Sequence, residues 1–101
     1  MYDESQLRKI ADHYGLDSQL KQAVEEMAEL IQAFNKYTRS RGSGQPTTTD
    51  ELTARLNIIE EVADVEIMLS QVKYLLDISD DEIEAIKCIK LDRTLDRMRT
   101  T

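Results

Sequence analysis

The stretch Ser40-Arg41-Gly42-Ser43-Gly44-Gln45-Pro46 decides how this chain folds. It holds two of the three glycines and the only proline among 101 residues, so the backbone is broken here and scarcely anywhere else. Before it runs a helical pattern over 17–38, with Leu20, Val24, Met27, Ile31 and Phe34 recurring at three- and four-residue steps. After it, Thr48 and Glu51 fit a capping box. That box opens a second long helix over 49–77, whose apolar face carries Ile58, Val62, Val65, Leu69, Val72 and Leu76. Neither side can bury a core alone, so the segment at about 40–48 is a flexible turn inside one domain spanning 1–101.

Two shorter helices flank this pair. The first covers 4–14, with Leu7, Ile10, Ala11 and Tyr14 on one face, Gly15 to end it and Asp17 placed to cap its successor. The last covers 80–97, opened by a capping box of Ser79 and Glu82. The expected fold class is all-α: an antiparallel four-helix bundle-like protomer with the two longest helices at its centre.

Composition narrows the function. Thirteen Lys+Arg stand against 20 Asp+Glu, a formal net charge of −7. Such a balance argues against a nucleic-acid coat or an anionic membrane surface as partner, since both need a basic footprint. There is no run of about 18 apolar residues, and the opening MYDESQLRKI has no apolar signal region, so the expected location is cytoplasmic. Cys88 is the only cysteine, which excludes an intrachain disulfide and a Cys-ligated zinc site; it reads as a small core residue. His13 is the only histidine, which excludes a Ser-His-Asp triad, a His-rich zinc centre and a paired Glu-x-x-His di-iron bundle.

The acids are not evenly spread. Glu25-Glu26-Met27-Ala28-Glu29 lies on the second helix and Glu60-Glu61-Val62-Ala63-Asp64 on the third. Acids three apart share a helix face, so each helix can aim two carboxylates at one point. At about 100° per residue, Glu61 falls within the apolar face of its helix and Asp64 borders it. A carboxylate among aliphatics is costly unless it is paired or bound to a cation. Glu29 lies 11 residues before Ser40 and Glu61 lies 12 after Thr49, so a hairpin sets both roughly 17 Å from its end, with Glu26 and Asp64 one turn further in. Four hard oxygen donors at one height suit Mg²⁺, which also keeps waters and takes phosphate oxygens into its shell. Glu29 is discordant, since it lies well away from the apolar face of its own helix. Periodicity alone also fits two solvated acidic stripes.

At these residues, Glu25-Glu26-Met27-Ala28-Glu29-Leu30 and Glu61-Val62-Ala63-Asp64, the sequence resembles the MazG-like branch of the all-α nucleoside triphosphate pyrophosphohydrolases. The resemblance extends to helix order and covers most of the chain. It implies Mg²⁺-dependent cleavage of a nucleoside triphosphate to the monophosphate and pyrophosphate, with Mn²⁺ as a substitute. It also implies a homodimer or homotetramer that completes the sites. Carried over, Glu26, Glu29, Glu61 and Asp64 would be the metal ligands, and Glu29 or Glu25 would accept the proton of the attacking water. Members similar to this chain place basic residues of the last helix near the phosphates, which makes Lys90 and Arg93 the candidates here. They also fit a solvated basic face near a helix C-terminus. Asn57, on the face of Glu61 and Asp64, reads as a substrate contact or as a bond to a neighbouring helix. Phe34, Tyr37 and Tyr74 are of a type that stacks on bases, though aromatics at helical spacing are more often core. The alternative function is a non-catalytic helical oligomerisation or regulatory module.

Overall fold

The computed structural model describes residues 1–100, which form four helices and no strand: α1 (Glu4–Tyr14), α2 (Leu16–Ser40), α3 (Glu51–Leu75) and α4 (Asp80–Thr100). Asp3 caps α1 through a capping box with Gln6. Gly15 serves as the C-cap of α1 and the N-cap of α2 at once, at φ 85° and ψ 169°. That conformation is essentially restricted to glycine. Its amide donates to the Ala11 carbonyl at 2.8 Å. Asp17 therefore does not cap α2; it lies inside the first turn, where its charge suits the helix dipole.

Both long helices end in the same way. After α2, the Gly42 amide donates to the Arg39 carbonyl and the Ser43 amide to the Thr38 carbonyl, with Gly42 at φ 93°. After α3, the Asp77 amide donates to Tyr74 and the Ile78 amide to Lys73, with Asp77 at φ 55°. These are Schellman closures, one on glycine and one on a less tolerant aspartate. The cap of α3 is Asp50, whose carboxylate accepts from the Thr53 amide at 2.7 Å; Thr48 does not fill that role. The box of Ser79 and Glu82 forms as expected, with bonds of 2.7 and 3.2 Å.

Helices α2 and α3 form an antiparallel hairpin, joined at one end by the loop over 41–50 and held at the other by a buried bond from Gln19 Nε2 to Gln71 Oε1, 2.6 Å. Near the loop, the Tyr37 hydroxyl donates to Glu51 Oε1 at 3.4 Å and Arg41 approaches the same carboxylate at 3.8 Å. The seam is narrow. Leu16, Gln19, Ala23, Glu26, Leu30, Ala33 and Tyr37 of α2 are buried or half-buried, at alternating steps of three and four. They meet Ala54, Ile58, Glu61, Val65, Met68 and Gln71 of α3. This is a coiled-coil spacing, in which alanines let the two backbones approach closely.

The expected apolar face of α2 is not the core. Val24 is 63% exposed, Ile31 60% and Phe34 47%; Leu20 and Met27 are exposed as well. That stripe lies about 100° around α2 from the seam and faces away from α3. Helix α1 packs beside the hairpin through Ala11 and half-buried Leu7. There the Tyr74 hydroxyl bonds both Asp12 carboxylate oxygens at 3.0 and 2.9 Å, and Arg8 covers the Tyr74 ring.

Helix α4 does not join a four-helix bundle. Among the described residues it packs against none of the other three helices and buries no side chain. In its first turn Asp80 pairs with Lys73 at 3.1 Å, and Ile83 is half-buried. Cys88 is exposed rather than in the core. The radius of gyration is accordingly 17.2 Å, against about 13 Å for a compact domain of this length.

Candidate metal centre

The seam of α2 carries Glu26 between Ala23 and Leu30, half-buried and facing α3. Glu29, one turn on, is exposed at the edge of the same groove. From α3, Glu61 is half-buried within the seam and Asp64 is exposed beside it. One carboxylate oxygen each from Glu26, Glu29 and Glu61 lies within 4.8 Å of the other two. Asp64 is not one of the three that converge, but it lies near enough to Glu26 to feel its charge. Partial burial pushes the Asp64 carboxyl above its usual range, and the charge of the neighbouring Glu26 carboxylate pushes it the same way. Because Asp64 is exposed as a residue, its desolvation is incomplete. The repulsion from Glu26 is the part that a cation would remove.

The position of Glu29, discordant by periodicity, follows from the true seam. Measured from the Leu20–Phe34 stripe, Glu29 lies far around the helix; measured from Ala23, Glu26 and Ala33, it borders the contact with α3. The exposed apolar stripe and the carboxylates therefore flank the seam on opposite sides.

Whether these residues suit a divalent cation can be judged from their oxygens. Glu26 Oε2 and Glu61 Oε2 are buried and accept no hydrogen bond among the described residues. Glu26 Oε1 is held by Gln22 Nε2 at 2.9 Å, which fixes the carboxylate and leaves its second oxygen directed elsewhere. Like charges about 4 Å apart repel by about 1 kcal/mol in bulk water and about 4 kcal/mol at the effective dielectric of a protein surface. Buried, unpartnered and mutually repelling carboxylate oxygens are a donor set that a hard cation would satisfy. The set fits Mg²⁺ or Mn²⁺, whose oxygen shells leave room for water and phosphate.

The other sequence candidates are not all gathered here. Asn57 is half-buried on α3, one turn from Glu61. Glu25 is exposed and is not among the three acids that converge. Lys90 and Arg93 are exposed on α4, and neither is among the residues that converge at the carboxylates. Tyr37 and Tyr74 are engaged with Glu51 and Asp12, and Phe34 is on the apolar stripe across the seam. Gln22 was missed by sequence reasoning; its place four residues before Glu26 was the available signal.

The larger concavities lie elsewhere. A cavity of about 310 Å³ between α1 and the end of α3 is lined by Glu4, Arg8, Lys73, Tyr74 and Asp80. Four of its charged residues are matched in the pairs Arg8–Glu4 and Lys73–Asp80, and Asp77 also lines it. Among the described residues, the buried side-chain oxygens without a partner are Glu26 Oε2 and Glu61 Oε2, both of the carboxylate cluster. Comparison of the chain with protein-family models, with curated proteins and with solved structures finds no match.

Proposed function

We propose that this protein is a Mg²⁺-dependent nucleoside triphosphate pyrophosphohydrolase of the MazG-like kind, cleaving an NTP or dNTP to the monophosphate and pyrophosphate. The observation that carries this reading is the meeting of Glu26, Glu29 and Glu61, with Asp64 adjoining, around two buried oxygens that accept nothing. These four residues would hold the ion. When bound, Mg²⁺ neutralises phosphate oxygens and makes water more acidic, so that phosphoanhydride hydrolysis needs no histidine. Glu29 stands at the solvent edge of the groove and is placed to accept a proton from water; Glu25 is the alternative base. Asn57, one turn before Glu61, would be a substrate contact in this reading.

A homodimer or dimer of dimers belongs to the same proposal. The Leu20–Phe34 stripe of α2 and Ile86, Ile89, Leu91 and Leu95 of α4 are exposed apolar residues, which a second copy would cover. A second copy is then the route by which Lys90 and Arg93 reach a triphosphate. The same surface favours the second reading, a non-catalytic assembly module. Pyrophosphate release from a panel of NTPs and dNTPs with Mg²⁺ separates the two. The enzyme reading expects release from at least one nucleotide, reduced roughly 10²-fold or more in Glu61→Gln, the scale seen when one preorganised electrostatic group is removed. No release from any nucleotide, or full activity in the variant, leaves the assembly module.

A further inference from the structure

We infer that Gln19 and Gln71 are positioning residues, a buried register key that sets α2 against α3 at the one height where the carboxylates meet. They are the only buried polar residues among those described, and Gln71 is the largest side chain that is fully enclosed. Gln19 Nε2 donates to Gln71 Oε1 at 2.6 Å, joining residues 52 apart in sequence.

The register that this bond selects is the register of the site. Seven residues on from Gln19 is Glu26; seven back from Gln71 is Asp64. Three further on and three further back are Glu29 and Glu61. Each acid therefore faces an acid because the two glutamines face each other.

The rest of the seam cannot fix that register by itself. Ala23, Leu30, Ala33, Ala54, Val65 and Met68 are small or flexible apolar residues at a repeating spacing. A shift by one heptad, about 10 Å, sets similar side chains against similar side chains. The loop over 41–50 is a weak constraint, since closure entropy changes slowly with length. The bonds of Tyr74 to Asp12 hold α3 to α1 at an exposed surface, and the ties of Tyr37 and Arg41 to Glu51 are long and solvent-exposed; such exposed pairs contribute little. The amide pair differs in kind. That amide–amide bond forms in one register only: a slip of one heptad sets Gln71 against Glu26, or Gln19 against Asp64, and takes the acids out of their facing positions. A buried amide pair does not generally add stability over well-packed aliphatics, whereas specifying register is a well-attested use of buried polar groups.

The inference rests on the proposed cation site for its consequence, but the register itself is measurable without it. The double variant Gln19→Met/Gln71→Met replaces both amides by side chains of similar length and leaves no unpaired group. It should unfold at the same temperature as the parent chain or higher. Titration with Mn²⁺ alone, followed by electron paramagnetic resonance, should show affinity falling at least tenfold. Spin labels at the exposed positions Lys21 and Arg55, in a Cys88→Ser background, should show one narrow distance in the parent register. In the double variant they should show a distribution broadened or displaced by about 10 Å. An unchanged label distance overturns the inference, whatever happens to the metal. So does retained Mn²⁺ affinity in a double variant whose register has moved. If the parent chain binds no Mn²⁺, the proposed function fails, and the label distance alone decides the register key.

Discussion

At the scale of single residues, Asp64 is the most informative. Its carboxyl is raised by partial burial and by the Glu26 charge, so the folded chain favours the protonated form. A carboxyl raised in this way supports folding below its unfolded pKa, and that support is lost as pH rises through the folded value. The repulsion between the Asp64 and Glu26 carboxylates therefore grows as pH rises. Asp64→Asn is expected to raise the thermal midpoint of the metal-free chain at pH 7, and the gain should shrink as pH falls toward the carboxylate range near 4. The variant should also lose most of the stabilisation that Mg²⁺ gives the parent. Thermal scans at both pH values, with and without Mg²⁺, check the three signs. The comparison must be variant against parent at each pH, because the caps Asp3, Asp50 and Glu82 run the other way. Hydrogen bonds to Ser5, Thr53 and Ser79 lower their pKa values, so their support is present above the unfolded values and fades on acidification. The height match of Glu29 with Glu61 was legible in sequence because an antiparallel hairpin needs only residue counting. The side of α2 on which Glu29 stands was not, because that depends on which stripe meets α3.

At the scale of elements, the misread stripe has a physical cause. Hydrophobicity picks out Leu20, Val24, Met27, Ile31 and Phe34, the larger side chains. Close helix approach selects the smaller ones, and Ala23 and Ala33 sit where α2 and α3 touch. Sequence showed one apolar face on a helix that has two seams, one small and shared with α3, one large and unshared. Ala33→Leu should therefore cost about 1–3 kcal/mol by overpacking the seam. That corresponds to a fall in the thermal midpoint of roughly 4–8 °C for each kcal/mol in a domain of this size. An enlargement on the opposite side of α2, Ala28→Leu, should leave the midpoint nearly unchanged, and thermal unfolding of the pair tests which face is packed. The start of α3 was misread for a different reason. Thr47-Thr48-Thr49-Asp50 presents four residues able to cap, and only the geometry of the incoming loop selects Asp50.

At the scale of the whole molecule, an all-α fold of four helices was legible from the scarcity of glycine and proline, but the place of α4 was not. Its apolar residues do not keep one face. Ile83, Ile86 and Ile89 drift around the helix at three-residue steps, while Leu91, Leu95 and Met98 lie on another side. Such a helix has no single stripe to lay against the hairpin. Under the proposed assembly, Val24→Glu/Ile31→Glu charges the exposed α2 stripe without touching the seam. Sedimentation velocity should then show the parent as a dimer or tetramer and the variant as a protomer. A monomeric parent at micromolar concentration would remove the assembly from the proposal.

The detachment of α4 also has a kinetic side. A helix of 21 residues that buries no side chain is only somewhat longer than the 12–15 residues below which isolated helices are marginal in water. Its order is therefore sustained by its capping box, by the Lys73–Asp80 pair and by whatever covers it. In a lone protomer its backbone amides would exchange with solvent long before those of the α2–α3 seam, and its lysines and arginines would be the first sites open to trypsin. Protease susceptibility of this one segment would then follow subunit dissociation, making the turnover of the chain a function of its own concentration.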